Sequence, residues 1–296
     1  MINDTNSKPL ITIGLSVFNG EDTLERTIES LLSQTYANFQ LILADNVSTD
    51  STPEICKKFE KKDSRVRYFR RNKKLHIGKS LADLSTKIET EFSMFAADDD
   101  IYEPTFIEKN LEFLKSYPNF VGSIGDIRLF GSHIKNYFSD FEKNWEKENE
   151  KKHRFVRPIV GTYEEKVKNI LEFNWCINIY SIFRTKDLQI GITNVTFTAW
   201  DFAFLLNMIK YGDFHVLDEK LLNRDTGGET TELLKMKIVE ANRYIGHKGI
   251  SVYFPYLNYT IWCLKNLGFR IFLKHFSHFS YLNIHTGKKI LRDIFN

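Results

Sequence analysis

The feature that most constrains the fold is a regular alternation of short apolar runs and amphipathic segments between residues 10 and 116. The apolar runs have the length of strands, and the segments between them place leucine and isoleucine at helical spacing. The predicted strands cover residues 10–18, 39–44, 66–70 and 91–97, and the predicted helices cover 21–34, 53–62, 80–89 and 105–116. This alternation predicts βαβ units around a parallel sheet, so the fold class is α/β.

Polar segments follow three of the predicted strands. They are Asn19-Gly20-Glu21, Asp45-Asn46-Val47-Ser48 and Asp98-Asp99-Asp100. Parallel strands bring their carboxyl ends to one edge of the sheet, which is where ligands bind in such folds. Three polar segments at one edge therefore predict a binding site.

The aspartate triplet has two interpretations. Adjacent carboxylates repel one another and are costly to bury without a cation, so the triplet is either a solvated turn or a site for a divalent cation. In an extended strand Asp98 and Asp100 would point one way and Asp99 the other, so all three serve one ion only if the backbone turns there.

The first half of the chain resembles the family 2 glycosyltransferases of the GT-A fold. Three pieces carry the resemblance in order: Phe18-Asn19 after the first strand, the helical SLLSQT of residues 30–35, and DNVSTD at residues 45–50. The match is firm over about residues 10–125 and weaker over 199–224. The resemblance implies a mainly parallel sheet flanked by helices.

The resemblance implies a nucleotide-diphospho-sugar donor site. Asp45 and Asn46 would contact the base and ribose, with Phe18 and Glu21 close to the same pocket. Arg224 lies in a loop like the one that closes over the donor, where it is either a diphosphate contact or a surface arginine. The implied donor residues are Ser16, Phe18, Asn19, Glu21, Asp45, Asn46, Gly78, Asp98 and Arg224.

The family's acidic D-x-D motif falls on the aspartate triplet. The tail Ile101-Tyr102-Glu103-Pro104 aligns the first family aspartate with Ala97, a departure, and the last with Asp99. The resemblance thus implies Asp99 as a metal ligand and Asp98 as a second ligand or ribose contact. Carboxylate and phosphate oxygens suit Mn²⁺ or Mg²⁺.

The family supplies a catalytic base from an acidic motif at the start of a later helix. Asp201 stands at that position, and Trp200 replaces the usual acidic neighbour. Asp201 is therefore either the base that deprotonates the acceptor hydroxyl or a simple helix cap, and Trp200 is a candidate for stacking on an acceptor sugar.

Other classes fit less well. A haloacid-type phosphatase needs its aspartate motif after the first strand, and a sugar-nucleotide pyrophosphorylase needs a glycine-rich arginine loop there, which the SVFNGED segment (16–22) does not supply. The departures at Ala97 and Trp200 keep open a catalytically degenerate sugar-nucleotide-binding or scaffold protein of the same fold.

Composition sets broader limits. The net charge of +3 does not favour nucleic acid, and three widely spaced cysteines predict buried thiols in a reducing compartment. No signal peptide or spanning helix is expected, so we expect a cytoplasmic protein, peripheral at most to the inner face of the membrane. The expected partners are the donor and a glycan or lipid-linked acceptor.

The second half is less regular. Residues 140–154 are either an exposed segment or a cover over the site, 174–183 have strand-like composition, 201–211 predict a helix, and 214–217 predict a short strand. The expected domains are a glycosyltransferase domain over 1–228, with a donor half (10–125) and an acceptor half (126–228), and a helical appendage over 229–296. The basic, aromatic appendage is either packed on that domain, a homo-oligomer contact or a membrane-surface contact.

Overall fold

The computed structural model describes residues 8–131, 155–173, 176–226 and 248–295. Within them one sheet of eight strands has the order β3-β2-β1-β4-β7-β6-β8-β5. The strands are β1 Ile11–Val17, β2 Phe39–Asp45, β3 Val66–Arg70, β4 Phe92–Ala96, β5 Ile101–Tyr102, β6 Phe120–Phe130, β7 Ile182–Arg184 and β8 Asp213–Asp225.

The first half of the sheet is parallel, as the alternation of strands and helices predicts. Strand β1 pairs in parallel with β2 on one side and β4 on the other, and β2 pairs in parallel with β3. The carboxyl ends of β1, β2 and β4 therefore meet at one edge, directly before the three polar segments. The second half is mixed, because β7 runs antiparallel to both β4 and β6.

Helices cover both faces of the sheet. In the described residues they are α1 Leu24–Leu32, α2 Thr52–Lys62, α3 Ile77–Ser85, α4 Phe106–Ser116, α5 Tyr163–Phe173, α6 Thr185–Gly191, α7 Trp200–Met208, α8 Leu257–Asn266, α9 Phe269–Lys274 and α10 Phe276–Phe295. Helix α2 starts as the sequence predicts, since Pro53 lies in its first turn, where a missing N–H costs little.

Two apolar cores lie on opposite faces of the sheet. In β2, Leu41 and Leu43 belong to the first core, while Ile42 and Ala44 belong to the second, as the alternation of a strand requires. The C-terminal helices contribute to the second core, where Tyr259 of α8 and Phe279 of α10 are each 1% exposed. The C-terminal segment thus packs on the same core as α7.

Two local predictions were wrong. Most of the strand expected over 174–183 is absent from the described residues of that range: Cys176 adopts a left-handed backbone (φ 58°), a 3-10 helix follows at Ile177–Tyr180, and only Ile182 and Phe183 lie in a strand, β7. That turn buries Ile177 and Ile179, the alternating residues that suggested a strand. The strand expected over 214–217 is longer, because bulges near Gly125 and Asp126 of β6 let β8 continue through its exposed middle.

Other boundaries shift by a few residues. Helix α1 begins at Leu24 instead of residue 21, and α3 begins at Ile77 instead of residue 80. The three cysteines are buried and free, as expected. The expectations for residues 140–154, and for a helix over 230–247, lie outside the described residues. No described helix is both long and apolar enough to cross a membrane.

Candidate active site

The first two polar segments are tied together by hydrogen bonds between neighbouring turns. Asn19, with φ of 53°, donates its N–H to Ser48 Oγ at 3.0 Å, and its side-chain oxygen accepts the N–H of Thr49 at 2.9 Å. Glu21 accepts the N–H of Ser51 at 3.0 Å, and Gly20 donates its N–H to Thr52 Oγ1 at 2.9 Å. The polar atoms of Asn19 and Glu21 therefore shape the turns that frame the site.

Asp45 is fully buried at the end of β2. One carboxylate oxygen accepts the N–H of Ser48 at 2.8 Å, and the other accepts from Arg70 at 3.0 Å and from the Tyr68 hydroxyl at 3.2 Å. Burial, followed by the charge of Asp45, raises the pKa of Tyr68 to about 12. Asp45 thus holds Arg70 and Tyr68 at the edge predicted to receive the base.

The side-chain amide of Asn46 makes two hydrogen bonds with the backbone of Leu75. Its Nδ2 donates to the carbonyl of Leu75 at 2.8 Å, and its Oδ1 accepts the N–H of Leu75 at 2.9 Å. This fixes the segment that carries Lys74, whose ammonium lies 3.2 Å from the centre of the Phe18 ring. Phe18 therefore stands at the expected edge, beside a cation that the sequence did not single out.

The chain turns at the aspartate triplet. Strand β4 ends at Ala96, and bends follow at Asp98 and Asp99. A methyl group on Gly20 would lie 3.0 Å from Asp98 Oδ2, so Asp98 faces the turn after β1. Thr27 Oγ1 of α1 donates to the carbonyls of Asp98 at 3.1 Å and Asp100 at 2.8 Å. The turn therefore removes the alternation that separates the three carboxylates in a strand.

Burial disfavours the charged forms of Asp99 and Asp100. Desolvation raises the pKa of Asp99 and raises that of Asp100 to about 7, while Arg224 lowers both. Asp100 is 1% exposed, and its Oδ1 accepts the N–H of Asp225 at 3.1 Å. Its Oδ2 is buried with no hydrogen-bond partner among the described residues. Burial therefore disfavours the charged forms of these two carboxyls more than Arg224 favours them.

Arg26 and Asp225 join α1 to the end of β8 beside this loop. The Arg26 guanidinium pairs with the Asp225 carboxylate and donates to the carbonyl of Asp99 at 3.1 Å. Arg224, the next residue back in β8, lies over the Tyr180 ring, 5.0 Å from its centre. Two strand-end residues of β8 thus complete the site around the aspartate loop.

Asp201 lies in the first turn of α7, after Ala199 in a left-handed conformation (φ 67°). Desolvation raises the pKa of its carboxyl, opposed by the N–H of Phe202 at 3.0 Å, a hydrogen bond from Cys176 and the charge of Arg224. Burial, with the charge of Asp201, keeps the pKa of the Cys176 thiol well above its usual range, so the thiol stays protonated and donates. The N-cap of α7 is Ala199, without a side-chain cap hydrogen bond, so Asp201 is not the capping residue, and burial raises the pKa of its carboxyl.

Gly78 and Trp200 join the two halves of the site. A methyl group on Gly78 would lie 2.6 Å from the Val195 carbonyl and 3.5 Å from Trp200 Cβ. Only a hydrogen fits there, so Gly78 lets the start of α3 approach the segment before α7. Ser16 is bound to the same helix, because its hydroxyl lies 2.6 Å from that of Ser80.

The carboxylates of the aspartate triplet fit a divalent cation such as Mg²⁺ or Mn²⁺. In the ranges that the structure describes, no group of three His, Cys, Asp or Glu side chains forms a metal site. Such cations are nevertheless commonly held by one or two carboxylates plus phosphate oxygens. Asp98 and Asp99 could supply carboxylates, and the buried Asp100 Oδ2, which has no hydrogen-bond partner among the described residues, fits a cation nearby.

Several residues of the candidate site could not be predicted from the sequence. Arg26, Tyr180 and Asp225 had no motif to mark them, and Cys176 read as a buried apolar residue. A partial signal existed for Arg26, a cation within the amphipathic helix that follows the first polar segment. Their roles depend on contacts across long sequence separations, such as the pairing of Arg26 with Asp225.

The chain matches one known protein family over more than half of its length. The family described as Glycosyl transferase family 2 matches residues 12–175. The match contains the first two polar segments and the aspartate triplet, and it ends one residue before Cys176.

Curated relatives are similar over a shorter stretch. The putative teichuronic acid biosynthesis glycosyltransferase TuaG of Bacillus subtilis (strain 168) is 30% identical over 112 residues, 37% of this chain and 44% of the relative. The UDP-Glc:alpha-D-GlcNAc-diphosphoundecaprenol beta-1,3-glucosyltransferase WfaP of Escherichia coli is 32% identical over 108 residues, 36% of this chain and 42% of the relative. The chain thus matches less than half the length of each.

Solved structures share the fold over nearly the whole chain. TarS 1-349 of S. aureus in complex with UDP-GlcNAc has a TM-score of 0.57 at 14% identity, covering 97% of this chain and 89% of that one. The mannosyltransferase PcManGT from Pyrobaculum calidifontis, in complex with GDP-Man and Mn²⁺, has a TM-score of 0.61 at 10% identity, covering 97% and 74%. At such identities the likeness establishes the GT-A fold alone.

Proposed function

The chain belongs to glycosyl transferase family 2, and from this premise we propose that it transfers a sugar from a UDP- or dTDP-sugar to a hydroxyl of a glycan or lipid-linked glycan, with inversion. The names of the relatives support a setting in surface polysaccharide synthesis, since one acts in teichuronic acid biosynthesis and another on a diphosphoundecaprenol-linked sugar. We further propose that it works on the cytoplasmic side.

The observation that carries the proposal is the position of Arg224. Its positive charge lowers the pKa of Asp99 and Asp100 on the donor side and of Asp201 on the acceptor side. The expected diphosphate site and the expected base therefore share one cationic neighbour. A guanidinium there suits the phosphates of a donor, because it opposes the charge that grows on the leaving diphosphate.

The donor half then binds and orients the nucleotide. Phe18 presents an aromatic face for the base, and Arg70, held by Asp45, has further N–H groups to donate at its edge, where the Tyr68 hydroxyl oxygen can accept. Asp98 faces the turn after β1, where the ribose and diphosphate would pass. A divalent cation held by Asp99 and Asp98 would neutralise charge on the leaving diphosphate.

The acceptor half removes the proton. Inversion is an in-line displacement, so the acceptor hydroxyl attacks the anomeric carbon from the face opposite the diphosphate and loses its proton as the bond forms. Asp201 accepts that proton on its carboxylate. Its raised pKa makes it a stronger base than an exposed aspartate, and Cys176 holds the carboxylate by donating to it. Trp200 offers a flat surface for an acceptor sugar.

The test is release of nucleoside diphosphate from a panel of UDP-, dTDP- and GDP-sugars, with Mn²⁺ and with added surface glycans or lipid-linked sugars. Turnover of one donor, increased by an acceptor and yielding the inverted anomer, supports the proposal. Binding of UDP with Mn²⁺ but no turnover with any acceptor would favour a degenerate sugar-nucleotide-binding protein, the reading that the departures at Ala97 and Trp200 motivate.

A further inference from the structure

The C-terminal helices α8, α9 and α10 have one buried side and one exposed side. In α10, Phe279 and Ile290 are each 1% exposed, whereas Tyr281 is 64% and Ile284 57% exposed. Tyr281, Ile284 and Lys288 follow one another at intervals of three and four residues, so they lie on one face of the helix. Apolar side chains therefore form part of the outer face, where no described element covers them.

Helices α8 and α9 also carry exposed apolar side chains. In α9, Phe269 is 68% and Leu273 52% exposed, four residues apart on one face, while Phe272 is buried. In α8, Leu264 is 42% exposed. We call this set the C-terminal apolar surface; its members are Ile261, Leu264, Phe269, Leu273, Phe276, Tyr281 and Ile284.

The charges among these residues have one sign. Between residues 248 and 292 the sequence has seven Lys or Arg and no Asp or Glu. Lys274 is paired with Glu164 of α5, which neutralises one of the seven. The others are Lys248, Lys265, Arg270, Lys288, Lys289 and Arg292.

We propose that the C-terminal apolar surface docks on an anionic lipid bilayer and lies in its interface without crossing it. Aromatic and aliphatic side chains would enter the headgroup boundary, while the basic side chains would meet anionic headgroups. None of the described helices suits a spanning role. A second copy of the chain is a poorer occupant, because self-association through this face would oppose positive charge to positive charge.

Docking would also bring the candidate active site to the membrane. Tyr259 of α8 contacts Phe202 of α7, next to Asp201, with ring centres 6.2 Å apart. The charge of Asp201 also raises the pKa of Tyr256, after burial, so the start of α8 lies close to the base. Helix α8, which contributes to the C-terminal apolar surface, is thus packed on α7, the helix that carries Asp201. The docking argument itself stands on exposure and charge and does not depend on the proposed reaction.

The test is flotation of the full chain with vesicles of phosphatidylcholine alone or with phosphatidylglycerol. We expect recovery with the anionic vesicles only, weakened by salt. Removing two charges with Lys288→Gln and Arg292→Gln should lower partitioning about thirtyfold, at about fivefold for each charge. The matched control is Lys57→Gln with Lys61→Gln, two exposed lysines at the same spacing on α2, which should leave partitioning unchanged.

A second pair of variants tests the apolar contribution. Phe269→Ser with Leu273→Ser removes two exposed side chains of α9 without touching the core, and we expect it to abolish flotation. Ile190→Ser is the control, since Ile190 is 62% exposed on α6. Recovery of the wild type in the unbound fraction would overturn the proposal. So would equal losses in the control variants, or a dimer in light scattering that Phe269→Ser with Leu273→Ser dissociates.

Discussion

Gln34, two residues beyond the end of α1, is hydrogen-bonded to Glu103, in the segment just after the aspartate loop. Its Nε2 donates to the Glu103 carbonyl at 2.8 Å, and its Oε1 accepts the N–H of Ile107 at 3.0 Å. Ser30, within α1, accepts the N–H of Tyr102 at 3.1 Å. The motif of residues 30–35, which spans the end of α1, therefore stabilises by hydrogen bonds the loop that would hold the metal and the donor diphosphate.

Replacing Gln34 with leucine should weaken this stabilisation. Gln34 is 5% exposed, and the change would remove the side-chain acceptor of the Ile107 N–H and one of the two hydrogen bonds to the Glu103 carbonyl, which Phe106 also contacts. We expect Gln34→Leu to lower the free energy of unfolding by about 1–3 kcal/mol and to weaken donor binding. Urea denaturation measures the first effect. Gln40→Leu on β2, whose side chain takes no part in these hydrogen bonds, is the control, and equal losses in both variants would contradict the account.

Asp201→Asn tests the base. The amide keeps the shape of the side chain but cannot accept the proton, so the transfer rate should fall by about 10²–10⁴-fold while donor affinity is retained. Asp187→Asn is a matched control, because Asp187 occupies the first turn of α6 as Asp201 does that of α7. A rate that is unchanged by Asp201→Asn would show that Asp201 is not the base.

The pH dependence of transfer should report the contact between Cys176 and Asp201. Only the carboxylate form of Asp201 accepts a proton, so the rate falls as the pH drops through its pKa, and burial moves that limb above the usual aspartate range. The hydrogen bond from Cys176 lowers the pKa of Asp201. Removing it with Cys176→Ala should therefore move the acidic limb to higher pH.

Cys176→Ser provides the control for this shift. The serine hydroxyl keeps a donor at the same place, so the acidic limb should stay near its wild-type position, and rates at high pH should be similar in all three proteins. An acidic limb that does not move in Cys176→Ala would show that the thiol has no influence on the base.

Gly78→Ala tests how the two halves of the site meet. The added methyl would lie 2.6 Å from the Val195 carbonyl, so the backbone before α7 has to move. We expect a loss of about 1–3 kcal/mol in the free energy of unfolding, measured by denaturation. Gly287→Ala in α10 is the control: its nearest neighbour would lie at 3.4 Å, and the helix should gain stability, by up to about 1 kcal/mol.

The parallel half of the sheet could be predicted from sequence because its signals are local. Residues such as Asp45 and Asp99 follow strands whose periodicity is plain, and the parallel order of β1, β2 and β4 brings their ends together. The aspartate triplet forms a turn, but it is not the fully solvated turn of the first of its two interpretations. It is a turn held by Thr27, with Asp100 buried.

The rest of the site could not be predicted because its contacts join residues that are far apart in the sequence. Cys176 reaches Asp201 only because a left-handed residue and a 3-10 helix replace most of the expected strand. The pairing of Arg26 with Asp225 joins residues 199 positions apart, which no local pattern encodes. The length of β8 was underestimated because its exposed middle lacks the apolar alternation of a strand.

The measurement that tests the central claim most directly is calorimetric titration of UDP, dTDP and GDP, each with and without Mn²⁺, into the wild type, Asp99→Ala and the control Asp187→Ala. The account predicts tight, Mn²⁺-dependent binding of UDP or dTDP by the wild type and the control, and loss of that binding in Asp99→Ala. Binding of none of the three nucleotides, or metal-dependent binding unaffected by Asp99→Ala, would contradict a donor site at the aspartate loop.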